Sequence, residues 1–114
     1  MQKLSLEALA RDHLDRARAA TAGRSAETVV GGHEQVLRQT VIALTAGSTL
    51  AEHENPGEAT VHVLEGRVRL LAGDPVGEVA WDGRAGDLLV VPPGRHQVDA
   101  LEDSVVLLTV AKRE

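Results

Sequence analysis

The chain has 114 residues, no cysteine, a single aromatic residue (Trp81) and a formal net charge of −5. These features exclude disulfides, thiolate metal sites and thiol catalysis, leave the core to aliphatic side chains, and make nucleic acid an unfavourable partner. They weigh against sites that stack sugars, flavins or bases on several rings, and with no apolar run of about 18 residues and no signal-like start, the expectation is a soluble cytoplasmic protein without a membrane partner.

The first pattern is helical. From Ser5 to about Ala20, Leu6, Leu9, Ala10, Leu14 and Ala17 recur at the spacing of one helix face, with charges elsewhere on the wheel. Ser5 is the expected N-cap, Glu7 suits the positive end of the dipole, Arg16 and Arg18 suit the negative end, and Gly23 offers a stop. Glu7–Arg11 and Asp12–Arg16 are candidate i,i+4 pairs, and His13 falls on the apolar side as a helix-packing histidine.

After a polar link at Gly23–Ser25 come short β-rich runs: Val36–Leu44, Thr60–Leu64, Arg67–Leu71, Glu78–Trp81, Leu88–Val91, Gln97–Leu101 and Ser104–Val110. Glycine and proline punctuate them, among others at Gly31-Gly32, Glu65-Gly66, Gly83, Gly86-Asp87 and Pro93-Gly94. Many short strands at near-even spacing predict an all-β antiparallel sandwich or barrel, with the leading helix covering an edge or an end. The expected organisation is one structural domain, with residues 1–25 forming helix and link and residues 26–114 the barrel.

Two segments hold the candidate site. In AGSTLAEHENPGEATVHVLEG, His53 follows Gly47, and Asn55 shares its strand face two positions on. In AGDLLVVPPGRHQV, a Pro-Pro-Gly corner delivers His96. One hairpin suffices to bring His53 and His96 together.

These segments resemble the two motifs of the cupin superfamily, in particular the small cupin 2 conserved-barrel, RmlC-like type. Gly47, His53 and Gly66 match the first motif; Gly86, Pro92 and Gly94 match the second, with His96 one residue early. The resemblance spans about Val36–Val110 and implies a double-sheet jelly-roll barrel, a homodimer, a small-molecule ligand and metal-ligand positions at His53 and His96. Asn55 stands where the family's second histidine is expected, and Ala59, or Thr60 at the longer spacing, where its glutamate is expected.

Glu58 is the candidate replacement carboxylate, provided a bulge turns it inward; the alternative keeps Ala59, Val61 and Val63 inward and turns Glu58, Thr60 and His62 out. With Glu58 inward, His53, His96 and Glu58, with Asn55 as a further neutral donor, make a site for one divalent transition metal (Fe, Mn, Ni or Zn); without it, His53 and His96 either hold an ion weakly with water or a third ligand or line a metal-free pocket. His33 reads as a solvated loop residue, and Glu52 and Glu54 as solvated charges flanking His53. Two functions compete: a metal-dependent dioxygenase or isomerase, and a non-enzymatic small-molecule-binding or sensing module.

Overall fold

The computed structural model describes residues 2–54 and 57–112, with side chains for all of these except 52–54. Its elements in chain order are α1 (Leu6–Ala19), β1 (Arg24–Val30), β2 (Leu37–Leu44), β3 (Thr49–Glu54), β4 (Gly57–Glu65), β5 (Arg67–Ala72), β6 (Val79–Arg84), β7 (Leu88–Val91), β8 (Arg95–Ala100) and β9 (Ser104–Lys112). The strands form two antiparallel sheets, ordered β1-β2-β9-β4-β7 and β3-β8-β5-β6. This is the expected double-sheet jelly roll with one N-terminal helix.

The cap of α1 is the expected one: Ser5 Oγ accepts a hydrogen bond from the Ala8 amide at 3.2 Å. The arginines pair differently from the sequence expectation. Arg11 leans on Asp12 (3.7 Å), and Arg18 on Asp15 (3.7 Å) and Asp103 (2.9 Å). The helix also lies on a face, not on an edge or end. Ala10, Leu14 and Ala17 pack on Val41 and Ala43 of β2 and Val105 and Leu107 of β9. The opposite faces of the same strands, Ile42, Leu44, Val106 and Val110, enter the space between the sheets with Ala59, Val61, Val63, Val68, Leu70 and Val98. Layers on both sides explain why β2 and β9 read as nearly continuous apolar runs. Each large aliphatic side chain so buried contributes about 1.5–3 kcal/mol.

The segment expected to be a polar link begins β1, which pairs with β2 from Arg24↔Leu44 onward. His13 fastens α1 to this strand. Its Nε2 lies 2.8 Å from Glu27 Oε1 and its Nδ1 2.7 Å from Ser25 Oγ, while the imidazole is buried. A carboxylate only accepts, so Nε2 donates to Glu27, and Nδ1 and the Ser25 hydroxyl complete the second hydrogen bond. The helix-packing role expected for His13 thus includes a polar clamp.

Strand β6 starts and ends later than the sequence suggests, and Gly83 lies within it instead of breaking it. The reason is a close approach between sheets. A Cβ at Gly83 would come within 3.0 Å of Leu89 Cδ1 and 3.1 Å of Val63 Cγ2. Strand β7 ends the other sheet, with Leu88 and Val90 60% and 65% exposed, and runs into Pro92-Pro93.

Candidate functional site

Strand β8 alternates Arg95, Gln97 and Asp99 outward with His96, Val98 and Ala100 inward. Gln97, where the family motif expects the histidine, hydrogen-bonds Asp99 at 2.9 Å on the outer face, and Asp99 also accepts from Thr49 Oγ1 at 3.0 Å. The early histidine is therefore the inward one. His96 is 2% exposed and shares its face with the core residues Val98 and Ala100.

Backbone register pairs His96 with His53 of β3 on one side and with Ala72 of β5 on the other. The His53 pairing depends on a bulge. Leu50 stands opposite Val98 and His53 opposite His96, so three steps on β3 match two on β8. A regular ladder would put Glu52 at that position. Asn55 lies outside the described residues.

Glu58 is the correction. It is exposed on the outer face of the five-stranded sheet, while its neighbour Ala59 is in the core with Val61 and Val63. Turning Glu58 inward by one register step would expose those three apolar side chains, so burial sets the parity of β4. Thr60 and His62 share the outer face with Glu58, with His62 opposite Leu107 and Leu88. His33 is exposed, its carbonyl accepting from Lys112 Nζ at 2.7 Å. Glu54 pairs with Arg95 in register.

The neighbours of His96 on its own sheet face are apolar: Ala72 beside it and Val98 two residues on are both buried. Among the described residues no three His, Asp or Glu side chains converge. Among the described side chains of this face, His96 is the metal-ligating group and no carboxylate accompanies it, which does not fit the shell of histidines and one glutamate that the motif resemblance implies.

One further residue shares this face. Leu70 pairs with both Val98 and Trp81, and Ala72 with both His96 and Val79. Directly paired residues point to the same side of a sheet. The inner face thus carries a row His96–Ala72–Val79, with His53 the backbone partner of His96, and, beside it, Leu50–Val98–Leu70–Trp81. Val79 and Trp81 are 39% and 45% exposed on the edge strand, while Ala72, Leu70 and His96 beside them are buried.

The outer faces are charged or grooved. On the four-stranded sheet Arg69 holds Asp82 through contacts of 2.7 and 3.2 Å, and Arg67 approaches it at 3.4 Å. The Arg69 hydrogen bond keeps the Asp82 carboxyl below its usual range, and Asp82 raises Arg69 in return. A groove of about 480 Å³ is lined by Glu58, Thr60 and Val90 of the outer face of the five-stranded sheet and by Ala59 and Val91, which are buried.

No family model and no curated protein matches the chain. Solved structures do. A conserved protein of unknown function from Streptococcus pyogenes superposes with a TM-score of 0.72 at 27% identity, covering 83% of this chain and 79% of that one. An RmlC-like cupin protein from Desulfovibrio desulfuricans gives 0.66 at 27% identity, over 77% and 81% of the two chains. A salicylate 1,2-dioxygenase from Pseudaminobacter salicylatoxidans shares the fold, with a TM-score of 0.73 at 19% identity, over 91% of this chain and 33% of that enzyme. No helix among the described residues is long and apolar enough to cross a membrane.

Proposed function

Because this chain is a small cupin domain, we propose that the end of the sandwich beside His96 binds a small organic molecule without turning it over. The observation that carries this reading is the parity of β4: Ala59 occupies the inner wall and Glu58 the outer face. The site then has the His96 imidazole beside apolar neighbours and, among the described side chains, no carboxylate to hold a metal or to act as a general base. Such a surround suits recognition through one or two hydrogen bonds and apolar contact.

Metal addition with thermal melting tests it. Ligands that bind only the folded state raise Tm by mass action. Iron(II), manganese, nickel and zinc at micromolar concentration are expected to leave Tm unchanged. A rise of several degrees that His96→Ala abolishes overturns the metal-free reading, and a metal-dependent dioxygenase or isomerase then takes its place. The dioxygenase among the structural neighbours makes that second reading concrete.

The same reading includes a cytoplasmic homodimer. Exposed Leu88 and Val90 on edge strand β7 support it, since an edge of this kind is stabilised when a second copy covers it. Light scattering after gel filtration is expected to give twice the chain mass of 12.1 kDa; a monomer at micromolar concentration refutes it.

A further inference from the structure

Independently of the reading at His96, we propose that the groove over β4, β7 and β9 is a binding site for a small organic ammonium ion. The protonated amine donates to the Glu58 carboxylate and to the hydroxyls of Thr60 and Thr109, and its apolar body lies along Val90, Pro93 and Ala111. The groove measures about 480 Å³, within the range of small-molecule sites, and these residues are in its lining. Register explains why they meet. Thr60 stands opposite Thr109 of β9 and Val90 of β7, and Glu58, two residues before Thr60 on the same face, stands opposite Ala111. The helix covers another part of this face, on Val41, Ala43, Val105 and Leu107, and among the described residues none from α1 lines the groove.

The chemistry of the lining selects the ligand. Glu58 is the charged side chain there, it is exposed, and it makes no ion pair among the described residues. Lys112, which follows Ala111, is engaged elsewhere, its Nζ donating to the carbonyls of Gly32 and His33 at 3.1 and 2.7 Å. Thr109 Oγ1 accepts from Gln39 Nε2 at 3.1 Å, which fixes the hydroxyl and leaves a lone pair for a further donor. Opposed positions on paired strands are about 5 Å apart and alternate positions along one strand about 7 Å, so the three oxygens surround a space the width of one ammonium group. A primary ammonium brings three N–H donors to these three acceptors, whereas an alcohol brings one donor and a carboxylate meets the charge of Glu58. Beside them Val90 is 65% exposed, an apolar surface that an alkyl body takes out of water. A second copy paired along the β7 edge adds its strand beside Val90 and leaves the oxygens on β4 and β9, one and two strands further in, uncovered.

The experiment is an NMR titration of the full chain with hexylammonium, hexan-1-ol, hexanoate and methylammonium. Hexylammonium is expected to shift the backbone amides of Thr60, Val90, Thr109 and Ala111 saturably and to bind about fivefold tighter than hexan-1-ol, the scale of one exposed ion pair. Methylammonium, which lacks the apolar body, is expected to bind at least roughly tenfold more weakly than hexylammonium, and hexanoate is expected not to saturate. Glu58→Gln, checked for folding by circular dichroism, is expected to bring hexylammonium down to the affinity of hexan-1-ol, and Thr60→Val to weaken it about threefold. His96→Gln is expected to change none of these affinities. No saturable shift, equal affinities for amine and alcohol, or undiminished amine binding by Glu58→Gln overturns the proposal. Shifts gathered on β3 and β8 overturn it by moving the amine to the histidine site. Groove amides that shift with protein concentration before any ligand is added overturn it by assigning the groove to a second copy of the chain. Failure of the small-molecule reading at His96 leaves the groove untouched, because the two titrations read different residues.

Discussion

His96 of β8 stands directly opposite His53 of β3, and a bulge between Leu50 and His53 creates that pairing. Without the extra residue, Glu52 in place of His53 would be the backbone partner of His96. Because bulges re-aim a side chain at a fixed place in a ladder, this one defines the site as much as the histidines do.

The pairing is testable by crosslinking. Directly opposed residues on antiparallel strands have Cβ atoms about 4.5–5.5 Å apart, close to disulfide geometry. In a chain without native cysteine, His53→Cys with His96→Cys is expected to oxidise to one intramolecular bond, seen as a mobility shift and a gain in stability of about 2–4 kcal/mol. Glu52→Cys with His96→Cys is expected to oxidise far more slowly. Equal rates would mean that β3 is regular.

Glu58→Gln checks the parity of β4. An exposed outer-face carboxylate contributes little, so stability in denaturant unfolding is expected to change by less than about 0.5 kcal/mol. A larger loss would mean that Glu58 is held by contacts an outer-face carboxylate does not make.

Much of the fold was legible and part of the site was not, for physical reasons. Strands β4, β5, β8 and β9 bury one or both faces, so their side chains announce them. Strands β1 and β3 are sheet edges whose sequences, RSAETVV and TLAEHE, are largely polar, and edge strands need no apolar alternation to pair. His96 was legible through its Pro-Pro-Gly corner. The face of Glu58 was legible only through the alternation of Val61 and Val63, because Ala59 is too small to announce an inward position, and the burial of those two valines agrees with it.

Acid should loosen the seat of α1. The Asp103 carboxyl accepts from the Ala46 amide at 2.9 Å and from Arg18 at 2.9 Å, and these contacts, the amide foremost, hold it below the usual carboxylate range. A depressed acid contributes its stability above its unfolded value, near pH 4, and loses it as pH falls through the lower folded value. Asp103→Asn is therefore expected to lower the urea midpoint at neutral pH and to match the wild type in strong acid. A constant offset between the two proteins at every pH would assign the effect to packing.

Core truncation gives the reference scale. Leu70 is 1% exposed between Val98 and Trp81 in its sheet. Leu70→Ala is expected to cost about 2–5 kcal/mol in denaturant unfolding, and a cost below 1 kcal/mol would mean that the space between the sheets is loosely filled.

The short β7 strand also bears on behaviour at high concentration. Its sequence LLVV, lying on a free edge with Leu88 and Val90 exposed, is the sort of segment that seeds cross-β stacking. Pro92 and Pro93 follow it at once and have no amide hydrogen to extend a ladder. A foreign strand that docks there finds four residues and then a stop, so the same Pro-Pro-Gly corner that delivers His96 also serves as a gatekeeper against fibril growth.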